Sequence, residues 1–280
     1  MHKGKILFTG ANGFIGRHLV PLLERDGWIV LKPRSHDISL DIESDVNNLF
    51  QENEFFDAII HAAIIGGKRN SQDAYSTFYL NMRMFENLFK HIDKCGIFIN
   101  FDSGASFSRP APLTLPGADD LGKSIPDDIY GFSKYCIAKK ILMHQKGFNL
   151  RIWGCFGSLE EPQRFFASNV KNYICKKKMT INKDRLMDFI YIEDLYLILK
   201  YVLLKNEELC ERDINCVYKE KYFLTQIADI INNLDGYRVD TKILDNSIDH
   251  PYCGKHNNIP IDLIGLKKGI RICWEQWKEV

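Results

Sequence analysis

A phenol and an ammonium lie one helical turn apart in the segment Ile129-Tyr-Gly-Phe-Ser-Lys134. Residues at i and i+4 share one helix face, so Tyr130 and Lys134 can meet over a single substrate carbonyl. An isolated phenol titrates at about 10, and a nearby cation lowers that pKa toward neutrality. An ordinary surface pair is the alternative, but the arrangement favours proton transfer coupled to hydride transfer.

A glycine-rich turn indicates where a hydride carrier would bind. The run Thr9-Gly-Ala-Asn-Gly-Phe-Ile-Gly16 follows an apolar strand that starts at Lys5, and it precedes a helical pattern that ends near Asp26. Gly10 would allow the sharp turn, Gly13 the approach of a pyrophosphate to backbone N–H groups, and Gly16 close helix–sheet packing. A glycine turn without a ligand is the alternative. The expected cofactor contacts here are Gly10, Asn12, Gly13, Phe14, Ile15 and Gly16.

The end of the second predicted strand bears on the choice of cofactor. Trp28 to Leu31 runs into Lys32-Pro-Arg-Ser35, with no acid before Asp37. At this position an acid reads the ribose of NAD, whereas an arginine accommodates the 2′-phosphate of NADP. Arg34 could pair bidentately with that phosphate, although a solvated arginine is the alternative. The sequence therefore favours NADP(H) over NAD(H).

Strands and helices alternate through the first half of the chain. A third strand is expected at Asp57 to Ala63, an amphipathic helix at Tyr75 to Lys94, and a fourth strand at Ile97 to Asp102. This alternation predicts an α/β fold of the Rossmann type, a doubly wound parallel sheet with its site at the strand carboxyl ends. Further cofactor contacts are expected from Asp41, Ile42, His61, Ala62, Ala63 and Asn81.

The second half shows shorter elements. After a Pro-, Gly- and Asp-rich stretch at 108–129, typical of an active-site loop, a helix is expected from Tyr130 to about Lys146, and a fifth strand spans Asn149 to Trp153. Later helices are expected near 165–175, 192–204 and 224–234, and strands near 179–181, 213–217 and 241–244. We expect a Rossmann domain at 1–160 and a smaller C-terminal α/β substrate lobe at 161–280. A returning segment would pack on the first domain, and the substrate would be held between the lobes.

These residues resemble the extended short-chain dehydrogenase/reductase family, in its branch of nucleotide-sugar epimerases, dehydratases and reductases. The resemblance covers nearly the whole chain. Its segments are the glycine turn, His61-Ala-Ala63, Asn81, Ser103, Tyr130-x-x-x-Lys134 and Asp188-Phe-Ile-Tyr-Ile-Glu-Asp194. It implies that Tyr130 is the acid/base and that Lys134 lowers its pKa and holds the nicotinamide ribose. Ser103, four residues before an aromatic, would hydrogen-bond the reacting oxygen; Ser106 is its rival.

Within that branch, the chain is similar in texture to 4-keto-6-deoxy sugar nucleotide reductases, namely paratose, abequose and GDP-fucose synthases. Fucose synthases also epimerise, with a Cys where Ala105 stands and a His where Arg164 or Phe165 stands. Dehydratases have an Asp-Glu pair, whereas this chain has Gly104-Ala105. The resemblance thus implies an NADPH-dependent 4-reductase for a nucleotide-diphosphate 4-keto-6-deoxy sugar. The expected substrate contacts are Ser103, Gly104, Ala105, Asn169 and Arg185.

Two other functions fit the same residues. A nucleotide-sugar 4-epimerase with tightly held NAD uses the same serine, tyrosine and lysine. A catalytically silent nucleotide-binding protein could share the fold. Departures from the family pattern leave the finer geometry open, because Gly154 replaces an Asn at the fifth strand's exit and Met187 replaces an Arg that holds the diphosphate.

Composition excludes several classes of protein. The formal net charge of +1 with dispersed basic residues argues against nucleic-acid binding. No stretch approaches about 20 apolar residues, so no membrane span is expected, and the first strand leaves no room for a signal peptide. The eight cysteines form no CxxC pair, which indicates reduced thiols in a cytoplasm and no metal site. The resemblance also implies a homodimer.

Overall fold

The computed structural model describes residues 3–67, 73–108 and 115–279. Ten strands are present in these residues: β1 Gly4–Thr9, β2 Trp28–Leu31, β3 Phe56–His61, β4 Cys95–Ser103, β5 Gly147–Ile152, β6 Cys155–Phe156, β7 Met179–Asp184, β8 Ile190–Tyr191, β9 Asp213–Cys216 and β10 Thr241–Ile248. Six of them form one sheet in the order β2-β1-β3-β4-β5-β9. β1 pairs in parallel with β2 and β3, and β3 pairs in parallel with β4. The predicted parallel α/β sheet is therefore confirmed.

Eight α-helices accompany the strands in the described residues. They are α1 Phe14–Arg25, α2 Glu43–Glu52, α3 Tyr75–Phe89, α4 Ile129–Leu142, α5 Phe165–Ile174, α6 Ile192–Lys205, α7 Leu224–Asn232 and α8 Leu266–Lys278. None of these helices is long and apolar enough to cross a membrane. α2 was not predicted, because its polar sequence carries only a short apolar stripe of Val46, Leu49 and Phe50.

The central strands are buried on both faces, which explains their apolar sequences. Leu7 of β1 and Ile59 of β3 are fully buried in a cluster with Phe50 of α2, Phe85 of α3 and Ile137 of α4. This packing fixes α3 and α4 against the sheet. The positions of the strand ends, where the predicted site residues lie, follow from it.

Two predicted helices end earlier than their sequence patterns. α3 ends at Phe89 and is followed by a short 3₁₀ turn, Ile92–Lys94, whose lysine donates to the Phe50 carbonyl. α4 ends at Leu142 instead of near 146. There the Arg212 guanidinium donates to the carbonyls of Leu142, His144 and Gly147, and so satisfies oxygens that a longer helix would have bonded internally.

The chain divides into two compact units. The described part of unit 1 comprises 3–67, 73–108, 118–151 and 199–214, and it contains the strands β1 to β4 with the helices α1 to α4. The described part of unit 2 comprises 115–117, 152–198 and 215–279. In unit 2, β10 pairs in parallel with β7, and β6 with β8.

Candidate active site

The glycine turn between β1 and α1 leaves no room for a side chain at its first position. Gly10 has φ +73°, and a Cβ there would lie 2.7 Å from the backbone of Ala62 and Ala63. α1 then begins at Phe14 with Gly13 as its N-cap, and neither a capping side chain nor an acidic residue occupies its first turn. A helix N-terminus in that state presents N–H groups to an anion. The turn thus fits a pyrophosphate.

Gly16 packs against the glycine turn itself, which the sequence did not predict. A Cβ at this position would lie 2.5 Å from the Ala11 Cα and from the Gly10 carbonyl oxygen. The prediction was close packing of the helix on the sheet, whereas the close contact is with the turn itself. Gly16 therefore lets the first turn of α1 lie directly against the backbone of the loop.

Arg34 lies in an exposed turn just after β2 and contacts no other described residue through its side chain. Its carbonyl accepts the N–H groups of Asp37 and Ile38. The neighbouring Lys32, by contrast, donates to Glu24 at 2.6 Å. Of these two cations, only Arg34 is left available for an anionic ligand.

The other adenine-side candidates lie at the start of α2. The Asp41 carboxylate accepts the Ser39 hydroxyl at 2.7 Å, and Ile42 is 45% exposed at the helix N-cap. An exposed aliphatic side chain in this position could cover a flat ring.

The exit of β3 is organised by buried polar groups. His61 is 1% exposed, and its Nδ1 lies 3.1 Å from the Thr9 hydroxyl. Burial, with a smaller effect of Lys134, lowers the pKa of His61 to about 3, so the ring is neutral. The Thr9 hydroxyl also accepts the Ala63 N–H at 3.3 Å. His61 therefore ties β3 to β1 and keeps Ala62 and Ala63 beside the glycine turn.

Asn81 connects this exit to α4. Its side-chain oxygen accepts the Ile65 N–H at 2.9 Å, and its amide donates to the Ile65 carbonyl at 3.0 Å and to the Ser133 hydroxyl at 3.2 Å. Ser133 donates in turn to the Tyr130 carbonyl at 2.7 Å. Asn81 thus fixes the loop after β3 relative to the helix turn that bears the tyrosine.

The start of α4 is pressed against the turn after β4. The Asp128 carboxylate caps the helix by accepting the Gly131 N–H at 2.7 Å. A Cβ at Gly131 would lie 2.6 Å from the Ala105 carbonyl oxygen, so only glycine permits this approach. The short turn Gly104–Ser106 and the first turn of α4, which bears Tyr130, therefore pack against each other.

The Tyr130 ring packs on a second glycine that the sequence did not single out for this role. Gly67 has φ +72°, and a Cβ there would lie 2.8 Å from the Tyr130 ring. The Gly67 N–H donates to both oxygens of the Asp73 carboxylate, at 3.2 and 3.1 Å. The half-buried phenol therefore lies directly on the backbone of the loop that follows β3.

The two candidate serines have different surroundings. The half-buried Ser103 caps the turn after β4, and its oxygen accepts only the Ala105 N–H, at 3.2 Å. Ser106 is fully buried and donates to the Asp102 carboxylate. The Ser106 hydroxyl is thus committed to a structural contact, whereas Ser103 keeps its proton available for a substrate oxygen.

Lys134 is 4% exposed, and its ammonium donates to the Phe101 carbonyl at 2.6 Å. Burial lowers the pKa of Lys134 to about 8, although Asp102 acts in the opposite direction. A buried ammonium with one carbonyl partner retains two further N–H donors. Those donors suit the ribose hydroxyls and the phenol that the family resemblance assigns to this lysine.

Sequence reasoning missed a buried ionic network beside these residues. The Arg151 Nε donates to Asp102 at 2.7 Å, and an Arg151 terminal nitrogen lies 2.8 Å from Asp213. All three side chains are almost fully withdrawn from solvent. The available signal was a charged residue in each of the strands β4, β5 and β9.

The remaining predicted contacts lie in unit 2. The side-chain amide of Asn169 is used by Thr180, whose N–H it accepts at 2.7 Å and to whose carbonyl it donates at 3.2 Å. Arg185 lies 3.4 Å from the Asp249 carboxylate and over the Tyr252 ring. Asn169 therefore holds α5 to β7, while the guanidinium of Arg185 is engaged by Asp249 and Tyr252.

The structure also shows the surroundings of Ala105 and Arg164, two positions at which the sequence differs from the epimerising relatives. Ala105 is 1% exposed and offers no acid or thiol. Arg164 is the exposed N-cap of α5 and pairs with Glu160 at 3.3 Å. No group of three or more His, Cys, Asp or Glu residues in the described chain could hold a metal ion. Ser103, Tyr130 and Lys134 carry a hydroxyl, a phenol and an ammonium, groups that can hydrogen-bond an oxygen, transfer a proton and stabilise a phenolate.

A scan against family models matches residues 6–216 to the NAD dependent epimerase/dehydratase family. Among curated proteins, a GDP-L-fucose synthase from Azorhizobium caulinodans is 36% identical over 69 residues. That match covers 24% of this chain and 22% of the relative, so it spans about a fifth of the relative's length.

Solved structures resemble the chain over nearly its whole length. A GDP-mannoheptose C4 reductase from Campylobacter jejuni with NADP bound has a TM-score of 0.78 at 17% identity, covering 98% of both chains. A UDP-glucose 4-epimerase from Thermotoga maritima has a TM-score of 0.79 at 17% identity, covering 98% of this chain and 99% of that one. At such identities the likeness establishes the fold.

Proposed function

This chain belongs to the NAD dependent epimerase/dehydratase family, and from that premise we propose that it reduces the C4 keto group of a nucleotide-diphosphate 4-keto-6-deoxy sugar. The observation that carries the proposal is the arrangement around Tyr130. Gly131 packs on the Ala105 carbonyl, so the first turn of α4, which bears Tyr130, lies against the turn capped by Ser103. The buried Lys134 lies on the same helix one turn later.

The proposed reaction needs one proton from the protein. When bound, NADPH supplies the hydride that reaches the sugar carbon. Tyr130 donates its proton to the former carbonyl oxygen, Ser103 donates a hydrogen bond to the same oxygen, and Lys134 stabilises the resulting phenolate. Solvent then returns a proton to Tyr130. Gly104 and Ala105 offer no groups for water elimination, so we favour reduction over dehydration.

The proposed cofactor is NADP(H). Arg34 supports it, because this exposed guanidinium follows β2 and has no partner among the described side chains. We expect Arg34→Ala to raise the Kd of NADPH by about tenfold or more, through loss of a charge-assisted hydrogen-bond pair. The Kd of NADH should hardly change. Lys32→Ala is the matched control, since Lys32 is already paired with Glu24; an equal effect of both variants would contradict the assignment.

The first test is NADPH oxidation with GDP-, CDP-, dTDP- and UDP-linked 4-keto-6-deoxy sugars. A GDP-linked 4-keto heptose belongs in the panel, because one structural neighbour is a GDP-mannoheptose C4 reductase. Stoichiometric NADPH loss with one sugar supports the reductase and identifies its nucleotide. No loss with any sugar, together with tightly retained NAD, would favour the alternative 4-epimerase, the activity named for another neighbour.

The second test is Tyr130→Phe. The variant should fold and bind NADPH but lose about 10²-fold or more in kcat, since general acid catalysis contributes that much. Tyr135→Phe is the control, because it removes a phenol from the same helix without touching the proposed site. Near-normal turnover by Tyr130→Phe would rule out this mechanism.

A homodimer is also proposed. Tyr75 and Tyr79 on α3 are 91% and 56% exposed, and Phe132 on α4 is 37% exposed and stacks on Phe78 at 5.2 Å. Adjacent exposed aromatic side chains are typical of an interaction surface. Light scattering should show a dimer that Tyr75→Ser with Phe132→Ser weakens, whereas Ile248→Ser, at an exposed apolar residue of β10, leaves it intact.

We also propose that the protein is located in the cytoplasm. All eight cysteines are free, which suits a reducing compartment.

A further inference from the structure

Three charged side chains lie side by side across the sheet immediately next to Ser103. Asp102 of β4, Arg151 of β5 and Asp213 of β9 come from three neighbouring strands. Arg151 donates to Asp102 at 2.7 Å and to Asp213 at 2.9 Å, and its guanidinium lies 4.8 Å from the centroid of the Phe107 ring. The Ser106 hydroxyl also donates to Asp102. Asp102 is therefore held by two donors in a fixed position.

A stability argument alone accounts poorly for this network. A single carboxylate suffices to neutralise a buried arginine, and buried ion pairs are often no more stabilising than apolar residues of similar volume. With both carboxylates ionised the triad has a net charge of −1. Burial raises the pKa of Asp213 to about 6 against the pull of Arg151, so the second carboxylate is retained at a cost.

The nearby cation without a direct carboxylate partner is Lys134. Its ammonium donates to the carbonyl of Phe101, the residue adjacent to Asp102. The groups of neighbouring elements whose charge bears on it are Asp102 of β4 and His61 of β3, and Tyr130 lies one turn away on α4. His61 is buried and neutral, so Asp102 is the anion that can balance the buried ammonium.

We propose that Asp102, fixed by Arg151 and Ser106, is a positioning residue that keeps the buried Lys134 protonated beside Tyr130. Asp213 lies on β9, two strands from β4, and pairs with a different nitrogen of Arg151, so it acts on Lys134 less than Asp102 does. This inference rests on the proposed function only for the role of Lys134 in turnover. The electrostatic coupling itself can be measured without any sugar substrate.

The direct test follows the ε-CH₂ signals of ¹³C-labelled lysines by NMR across pH in the full-length protein. The Lys134 signal is assigned by its absence in Lys134→Met. Asp102→Asn should move the titration midpoint of Lys134 to lower pH by roughly one unit or more, because the anion that opposes the effect of burial is lost. Asp213→Asn is the matched control: it removes the other carboxylate of the same arginine, and the midpoint should change far less.

The two variants separate an electrostatic role from a structural one. An unchanged midpoint in Asp102→Asn, or an equal shift in Asp213→Asn, would overturn the proposal. If Asp102→Asn fails to fold, the double variant Asp102→Asn with Arg151→Met removes the orphaned cation as well. Asp213 then becomes protonated in its buried position, the network is neutral, and the Lys134 midpoint should again fall; an unchanged midpoint would again overturn the proposal.

Turnover provides a second readout once a substrate is known. The alkaline limb of the kcat profile should move to lower pH in Asp102→Asn and remain near its wild-type position in Asp213→Asn. If no sugar is turned over by the wild type, the reductase proposal fails while the NMR result for Asp102 still stands or falls by itself.

Discussion

Lys134 in unit 1 and Lys221 in unit 2 are both largely withdrawn from solvent, but their partners differ. The Lys134 ammonium donates to one backbone carbonyl at 2.6 Å. Lys221 donates to both oxygens of Asp188, at 2.9 and 2.7 Å, and Asp188 also accepts the Gly254 N–H. Both oxygens of one carboxylate thus bind the Lys221 ammonium. The Lys134 ammonium instead keeps N–H donors and its charge available for another group.

The two lysines differ in how far their charge is compensated. Burial raises the pKa of Asp188 to about 6 in spite of Lys221, so this pair joins the segment before β8 to the later chain at some electrostatic cost. Burial lowers the pKa of Lys134 to about 8, and Asp102, which forms no ion pair with it in the described chain, opposes that change only in part. A cation left under-compensated in this way can respond to a phenolate or a cofactor.

The largest expected contrast between the two lysines is in activity. Lys134→Met should lower kcat by about 10³-fold, because the phenol loses the cation that supports its ionisation. Lys221→Met should leave kcat of the folded protein close to that of the wild type. Steady-state kinetics with the nucleotide sugar that the wild type reduces measures kcat of both variants. Similar losses of kcat would show that Lys134 and Lys221 do not differ in their contribution to turnover.

Stability should change in opposite directions. Lys134→Met removes a buried charge whose pKa is lowered, and we expect the free energy of unfolding at pH 7 to rise by up to about 3 kcal/mol. Lys221→Met leaves Asp188 buried without its cation and should lower the free energy of unfolding by about 3 kcal/mol. Urea denaturation followed by circular dichroism compares them, and a loss of stability in Lys134→Met would contradict the comparison.

Two glycines, one beside Tyr130 and one beside Asp188, allow the same comparison for side-chain positioning. Gly67→Ala would place a Cβ 2.8 Å from the Tyr130 ring and should lower kcat by about tenfold through displacement of the phenol. Gly254→Ala would place a Cβ 2.4 Å from the Trp153 Nε1, beside the Asp188 contact, and should cost stability with little change in kcat. Thermal melts measure the stability of both variants, and steady-state kinetics measures their kcat. An unchanged kcat in Gly67→Ala would show that Gly67 does not position the Tyr130 phenol.

The smallest expected effect is a pH dependence. The folded pKa of Lys134 is about 8 and the ordinary value is 10.5, so between these values the unfolded state binds more protons. The destabilisation by the buried charge is therefore complete below about pH 8 and is relieved as the pH rises from about 8 to 10.5. Relative to Lys134→Met, the wild type should gain roughly 1 kcal/mol per pH unit over this window. A flat difference would show that Lys134 titrates normally.

The sequence alone predicted most of the strands and helices and their order, although it missed α2, α8 and the short strands β6 and β8. Apolar runs located β1 to β5, and β2 was predicted at its observed bounds, Trp28–Leu31. The spacing of Gly10, Gly13 and Gly16 located the turn before α1, and the i, i+4 spacing placed Tyr130 and Lys134 on one helix. These features depend on local periodicity and backbone conformation, which a short window of sequence contains.

Only the tertiary structure decided the surroundings of the candidate side chains. It buries the Ser106 hydroxyl against Asp102 while Ser103 is half-buried, and it places Gly67 under the Tyr130 ring. It also joined Asp102 to Arg151 and Asp213, at sequence separations of 49 and 62 residues from the arginine. Such contacts are fixed by the order of strands in the sheet and by burial, and neither quantity can be read from the spacing of residues along the chain.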